Sequence, residues 1–79
     1  MTEIYRGYKI NASVVTVQSR GAPQWKPIAR VMWSEKGVEQ EKGISSDKRF
    51  PSIAQAEVQA RILARHWIDQ KIEQTKRLS

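Results

Sequence analysis

The first half of the chain alternates apolar and polar positions, which predicts β-strands. From Tyr8 to Val14 every second residue is apolar or small, and the residues between them are polar. Val14 and Val15 are adjacent and interrupt this alternation. We therefore expect a β-bulge at this point, which would return Val15 and Val17 to the core face of the sheet.

A second alternating run follows a loop that contains Gly21 and Pro23. It predicts a strand with one core-facing side and one outer side. Pro27 has no N–H to donate to a neighbouring strand, so we expect an edge position or a late start for this strand. The predicted core side consists of Trp25, Ala29, Val31 and Trp33, and the predicted outer side consists of Lys26, Ile28, Arg30, Met32 and Ser34.

A tight turn at residues 35–37, with Gly37 at positive φ, leads into a third alternating run. In this run Val38, Gln40, Lys42 and Ile44 lie on one side, and Glu39 and Glu41 lie on the other.

The last third of the chain has the period of an amphipathic helix. Ser52 and Gln55 have the spacing of an N-terminal capping box, and Pro51 lies just outside the helix. Lys76 and Arg77 are suited to a helix C-terminus, so the helix is predicted over about 52–76. The stripe that would face the core consists of Ile53, Ala56, Ala60, Leu63, Ala64 and Trp67.

These elements predict a single α+β domain over residues 1–79. Its strands would lie within about 4–45 and form a three-stranded antiparallel meander. One long C-terminal helix would pack on one face of this ββ(β)α sheet.

The composition limits the chemistry that this chain can perform. It has no cysteine and one histidine, His66, so thiolate sites and two-histidine metal sites are excluded. It contains no P-loop or dinucleotide-binding motif, and no hydroxyl or thiol nucleophile lies within four residues of His66. No stretch is apolar enough to span a membrane. We therefore expect a cytoplasmic protein that is not an enzyme, with no cofactor, no membrane partner and no evident small-molecule substrate.

The chain is basic, with 14 Lys and Arg against 8 Asp and Glu, a formal net charge of +6. This balance is typical of proteins with an anionic partner such as nucleic acid, although small domains also carry such charges for solubility. On the helix, charged residues recur every four positions. This spacing favours a ladder of ion pairs along the helix over a phosphate-binding site. This series is Glu57, Arg61, Arg65, Asp69, Glu73 and Arg77.

Three segments in order resemble a group of small bacterial proteins of unknown function. They are YRGY at residues 5–8, Trp25 at the start of the second strand, and RFPSIAQAEVQARILARHWID at residues 49–69. The resemblance covers about residues 5–69. It implies a ββ(β)α domain and no particular activity.

The chain is also similar, more loosely, to the apetala-type and integrase-type DNA-binding domains. That likeness implies a three-stranded sheet whose arginines and tryptophans contact DNA. Arg6 and Trp25 match motif positions, and Lys26 or Arg30 would replace strand arginines. Glu39 and Glu41 would repel phosphate. Lys9 lies on the same predicted outer face. This face mixes basic and apolar groups, as a surface that stacks single-stranded nucleic acid does. The candidate nucleic-acid-binding residues are therefore Arg6, Lys9, Trp25, Lys26 and Arg30.

Three apolar residues lie off the predicted core stripe of the helix, namely Val58, Ile62 and Ile72. They predict a contact surface for another protein or for a second copy of the chain. Three functions therefore remain in view. One is a nucleic-acid-binding or accessory module that uses the outer sheet face, and another is a protein-interaction or homodimerisation module that uses the helix. The third and least favoured is an enzyme around His66.

Overall fold

The computed structural model of the protein describes residues 2–18 and 21–78. It is an α+β fold with one antiparallel sheet and one C-terminal helix, as predicted, but the sheet has four strands instead of three. The strands lie in the order β1-β2-β3-β4. The elements are β1 (Thr2–Tyr5), β2 (Tyr8–Gln18), β3 (Pro23–Glu35), β4 (Val38–Ser45) and α1 (Ile53–Leu78).

The additional strand is β1, which pairs with β2 through a two-residue turn. Arg6 and Gly7 form the turn with φ of 51° and 86°, the positive values that close an antiparallel hairpin with the correct twist. Lys36 and Gly37 repeat this geometry between β3 and β4, with φ of 53° and 78°. The predicted turn at Gly37 is therefore confirmed.

The predicted β-bulge at Val14 and Val15 is absent. Pairing of β2 with β3 runs without interruption from Lys9 opposite Met32 to Gln18 opposite Pro23. Because strand side chains alternate strictly between faces, Val15 and Val17 lie on the outer face of the sheet and not on the core face. The doubled valine therefore adds apolar residues to the outer face instead of distorting the strand.

The prediction of an edge position for Pro27 is wrong, because β3 is an interior strand that begins at Pro23. Pro27 lies just beyond the last residue pair of β4, which joins Ile28 to Ser45. Its carbonyl accepts a hydrogen bond from the Ser46 N–H at 3.4 Å. The proline is tolerated because it occupies the place where the β3–β4 ladder ends.

The helix begins where the capping pattern predicts. The Ser52 hydroxyl oxygen accepts a hydrogen bond from the Gln55 N–H at 3.4 Å, and the Ser52 carbonyl accepts one from the Ala56 N–H at 3.1 Å. Ser52 thus serves as the N-cap, satisfying backbone donors that the first helical turn leaves without partners.

The core lies between α1 and the inner face of the sheet. The fully buried helix residues recur every four positions, at Ala56, Ala60, Ala64 and Ile68. Against them the sheet presents small and medium side chains, so the helix backbone lies close to the strands. The fully or nearly fully buried residues of the sheet in this core are Ile10, Ala12, Ala29 and Val31.

The predicted core stripe is correct at its alanines and wrong at its N-terminal end. Ile53 is 49% exposed, whereas Ile68, which the stripe omits, has no exposed surface. Ile72 also packs against the core, which corrects its assignment to an exposed interaction surface. The buried row advances by four residues per step and not 3.6, so it drifts around the helix and replaces Ile53 at one end with Ile72 at the other.

This four-residue row defines two further sides of α1. The residue after each buried position lies about 100° around the helix, and these residues form the β1-side flank, made of Glu57, Arg61, Arg65 and Asp69. The residue two positions after each buried one lies about 200° around and faces away from the sheet, and these residues form the helix back, made of Val58, Ile62, His66 and Gln70.

The domain is long and thin, with principal extents of 51 × 22 × 15 Å. One helix on one sheet makes two layers. The outer face of the sheet therefore has no second layer within the described part of the chain.

Candidate interaction surfaces

The outer face of the sheet carries three of the five candidate nucleic-acid-binding residues. Cross-strand partners share a face, and the pairs of Lys9 with Met32 and Val15 with Lys26 place both lysines there. Arg30 lies between them on the same face. The sequence pattern therefore predicted the position of these three side chains correctly.

Two of these three basic side chains already hold acidic partners. The Arg30 Nε lies 2.6 Å from a carboxylate oxygen of Glu41 on β4, and the Lys26 ammonium lies 3.5 Å from Asp47. Glu39 also lies on this face, opposite Ser34. The acidic residues largely neutralise the basic ones, so the positive charge of the chain is not concentrated on the outer face.

Trp25 and Arg6 lie elsewhere. Trp25 pairs with Thr16 in the register that places it on the inner face, and it forms a two-bond bridge with Phe50. Arg6 occupies the β1–β2 turn and contacts Asp69 of the helix at 2.8 Å. The structure therefore does not bring the five candidate residues together on one surface.

Three of the aromatic residues form a cluster between the sheet and the helix. Trp33 lies 5.5 Å from the Tyr8 ring and 5.4 Å from the Trp67 ring, in tilted arrangements. The Lys71 ammonium lies 5.2 Å from the Trp33 ring centre. All six aromatic residues of the chain are in its described part, and the strand registers and the Phe50 bridge place those of the sheet side on the inner face. The outer face accordingly offers no aromatic ring on which a base could stack.

Five polar residues connect β1 to the β1-side flank of the helix. The Tyr5 hydroxyl donates to both carboxylate oxygens of Asp69, at 2.9 and 3.1 Å, and the Arg6 guanidinium donates to one of them at 2.8 Å. One turn away, Arg65 donates twice to Glu3, at 2.9 and 2.6 Å. The YRGY and WID segments are therefore in contact, and they hold β1 against the helix.

The contact between Tyr5, Arg6 and Asp69 shifts the pKa values of all three side chains. Hydrogen bonds from Arg6 and Tyr5 lower the pKa of Asp69. The hydrogen bond to Asp69 raises the pKa of Tyr5 and that of Arg6. Each shift favours the protonation state in which the hydrogen bonds persist, as expected for a structural clamp.

Among the described side chains, the predicted ion-pair ladder of the helix is observed at its first step. Arg61 pairs with Glu57 at 3.0 Å. Arg65 and Asp69 instead pair with β1, and the side chain of Arg77 lies outside the described residues. The Arg61 Nε is buried and has no hydrogen-bond partner in the described part of the chain.

The helix back exposes two of the three predicted apolar contact residues. Val58 is 50% exposed and Ile62 is 49% exposed. They are neighbours on one side of the helix, followed by the polar His66 and Gln70 one and two turns later. Among the described side chains of the helix, these two and Ile53 at the helix start are the large apolar residues that are exposed.

A further surface, which the sequence reading missed, is the open edge of β2. Among the described residues, the pairs of β1 with β2 run from Tyr8 to Asn11 of β2. No other strand of the described chain lies on that side of the sheet, so the stretch from Val14 to Gln18 has a free edge. We call Val14–Gln18 the open edge.

Hydrogen bonds elsewhere define which backbone groups the open edge presents. Trp25 directs both its N–H and its C=O to Phe50, at 2.9 Å each. Thr16, its partner on β2, therefore directs its own N–H and C=O away from β3. Because backbone direction alternates along a strand, Val14 and Gln18 do the same. These three residues thus present, along one line, backbone donors and acceptors that have no partner within the described part of the chain.

The opposite side of the same hairpin is covered by the chain itself. The bridge between Trp25 and Phe50 and the contact of Ser46 with Pro27 cover the β3 side. Proline also blocks strand addition because it lacks an N–H. The outer edge strand of the sheet, β4, carries Glu39, Glu41 and Lys42, which are charges of the kind that discourage edge pairing.

The open edge has none of these protective features. The nine residues from Ile10 to Gln18 contain no charge and no proline, and three of the last five are valine. Val15 is 48% exposed. This uncharged, β-branched run is a sequence signal that could have identified the edge, but only after β1 was known to stop short of it.

Comparison with protein-family models, with curated proteins and with solved structures finds no match for this chain. Within the described residues no helix is long and apolar enough to cross a membrane. The same residues contain no group of three or more His, Cys, Asp or Glu side chains that could hold a metal ion.

Proposed function

We propose that this protein is a non-enzymatic protein-interaction module that binds an extended polypeptide segment along the open edge of β2. The observation that carries the proposal is the free, charge-free edge from Val14 to Gln18. An added strand there would satisfy the unpaired backbone groups of Val14, Thr16 and Gln18 by β-augmentation.

The side chains around the edge support this function. An added strand would place its outward residues beside Val15 and Val17 and its inward residues beside Val14 and Thr16. These positions are β-branched and uncharged, which suits cross-strand packing with apolar residues. Main-chain bonds would supply affinity, and the alternating side chains would supply selectivity.

The unprotected state of the edge is itself informative. Exposed, flat, apolar edges are aggregation sites, and proteins usually block them with charges, proline or a covering segment. This protein does so on β3 and β4 but not on the open edge. An edge kept free of such features is consistent with one that is paired when the protein works.

Nucleic-acid binding or an accessory role through the outer sheet face is the second candidate. The net charge of +6 and the shared face of Lys9, Lys26 and Arg30 favour it. The acidic partners of Arg30 and Lys26 and the inward position of the aromatic rings weaken it. We therefore place it below strand addition.

A peptide selection followed by NMR would test the proposed function. Peptides selected on the protein from a phage-displayed library of random decapeptides should shift the amide resonances of the open edge. Thr16→Pro should abolish this binding, because it removes an N–H that faces away from β3. The control variant Ile62→Ser, on the helix back, should bind normally. Selected peptides that shift the helix back instead, or that bind the Thr16→Pro variant equally well, would refute the proposal.

The same resonances discriminate the second candidate. Short duplex and single-stranded DNA and RNA, added separately at low salt, should leave Lys9, Lys26 and Arg30 unshifted if the protein is not a nucleic-acid-binding module. Shifts at these residues that vanish as salt rises would favour the nucleic-acid function.

A further inference from the structure

The open edge has the properties needed to pair with itself. We propose that its partner is a second copy of this chain, bound by antiparallel pairing of the two open edges about a two-fold axis at Thr16. This inference rests on the proposed function, since it names the occupant of the same edge. Two four-stranded sheets would thereby join into one continuous sheet.

The position of β1 determines the register of this pairing. Thr2 lies opposite Asn11 on the same side of β2, so a second strand has room only from about Ser13 onward. A two-fold axis at Thr16 uses the whole open edge and ends before β1. An axis moved to Val15 would bring Gln18 of the second copy opposite Ala12, where it would meet the end of β1.

Backbone directions agree with an axis at Thr16. Val14, Thr16 and Gln18 all direct their N–H and C=O groups outward. With the axis at Thr16, the two copies of Thr16 face each other and Val14 faces Gln18 of the second copy. Each of these pairs exchanges two hydrogen bonds, so the interface would contain about six.

The side chains in this register are self-complementary. Val15 of each copy lies opposite Val17 of the other, which gathers four valines on the outer face across the axis. The central pair is threonine with threonine, a combination that is favourable between antiparallel strands. No charged residue lies between Ile10 and Gln18. The two copies therefore meet without opposing like charges, although each carries a net positive charge.

An isologous interface requires a surface that complements itself under a two-fold rotation. The open edge meets this requirement, whereas the apolar pair on the helix back is confined to Val58 and Ile62. Five residues of strand bury less surface than a permanent dimer needs. The expected assembly is accordingly a reversible dimer whose population depends on concentration.

Sedimentation equilibrium of the full chain from micromolar to millimolar concentration tests the assembly. The wild type should change from monomer to dimer across this range, and Thr16→Pro should remain a monomer. Ile62→Ser should dimerise like the wild type. Far-UV circular dichroism of each variant confirms that it is folded.

Charge pairing tests the register itself. The double variant Val15→Lys, Val17→Lys should be a monomer alone, because the introduced lysines of two copies would face one another. Val15→Glu, Val17→Glu should be a monomer for the same reason. Mixing the two should restore a heterodimer with the mass of two chains, since every introduced lysine then faces an introduced glutamate, and this association should weaken as salt rises.

A wild type that stays monomeric at millimolar concentration overturns the second-copy inference. If selected peptides still bind at the open edge, the proposed function survives with another protein as the partner. A dimer that persists in Thr16→Pro but dissociates in Ile62→Ser overturns the inference in favour of the helix back. A mixture of charged variants that stays monomeric, beside a wild type that dimerises, overturns the register.

Discussion

The hydroxyl of Tyr5 donates a hydrogen bond of 2.9 Å to the carboxylate of Asp69, joining residues 64 positions apart in the chain. Arg6 donates to the same carboxylate. These contacts attach the short strand β1 to the last element of the fold. They add to the pairing of β1 with β2, which involves the four residues of this short strand.

This clamp predicts a specific dependence of stability on pH. The pKa of Asp69 is lower in the folded protein than its ordinary value of 3.8. The ionised Asp69 carboxylate therefore contributes fully to folding stability above about pH 4. This stability is lost as pH falls through the lower pKa of Asp69 in the folded protein. The variant Asp69→Asn should unfold at a lower temperature than the wild type at pH 7, and the difference should shrink toward pH 2. Thermal unfolding by circular dichroism measures both.

The tyrosine of the clamp acts at the other end of the pH range. The pKa of Tyr5 is raised above 10.0 in the folded protein. The protonated Tyr5 hydroxyl therefore contributes fully to folding stability below pH 10, and this stability is lost as pH rises through the raised pKa. Tyr5→Phe should reduce stability at pH 7 and lose less stability than the wild type above pH 10. Equal pH profiles for the wild type and both variants would show that the clamp does not couple β1 to the helix.

The sequence predicts the strands and the helix of this fold better than it predicts which strand edges remain unpaired. Period-2 alternation located β2, β3 and β4, and the Ser52 cap located the helix start, because these signals depend on neighbouring residues. β1 was missed because four residues are too few to show a period. The extent of the open edge follows from the register of β1, in which Thr2 lies opposite Asn11, and the Arg6–Gly7 turn fixes that register.

The candidate site shows the same limitation. The alternation correctly placed Lys9, Lys26 and Arg30 on the outer face. It could not show that Arg30 is bound to Glu41 on β4 or Lys26 to Asp47 in the segment after β4, since both partners are distant in sequence. The adjacent Val14 and Val15 predict a β-bulge that would return Val15 and Val17 to the core face. Once the register is continuous, the same residues become the apolar part of an exposed edge.

Burial of Ile68 predicts an asymmetry between two isoleucines on the same helix. Ile68 has no exposed surface, whereas Ile62 is 49% exposed. Ile68→Ala should lower the free energy of unfolding by about 2–5 kcal/mol, because it leaves a cavity in the core. Ile62→Ala should change it by only about 0.5 kcal/mol. Urea unfolding at a constant m-value measures both, and similar losses would contradict the position of the helix.

The alanine row predicts that the helix cannot move away from the sheet without cost. Ala60 is fully buried, and Ala54 is exposed on the same helix. Ala60→Leu should destabilise the protein by about 1–3 kcal/mol, because the added atoms force the helix from the strands. Ala54→Leu should remain within about 0.5 kcal/mol of the wild type. A neutral Ala60→Leu would mean that the packing between helix and sheet is looser than the structure shows.

Substitutions at Gly37 and Gly43 allow the effect of backbone strain on stability to be distinguished from the effect of steric crowding. Gly37 closes the β3–β4 turn at φ 78°, and Gly43 lies in β4 without a positive φ; an added Cβ meets no atom within 4 Å at either position. Gly37→Ala should destabilise by about 1 kcal/mol, since an L-residue is disfavoured in the left-handed region. Gly43→Ala should be neutral or stabilising by up to about 1 kcal/mol, because it restricts the unfolded chain.

Because neither site is crowded, a difference in stability between the two variants, measured by chemical denaturation, reports the effect of the backbone angle. Equal stabilities would contradict the turn geometry, and with it the two-residue connection that sets the β3–β4 register.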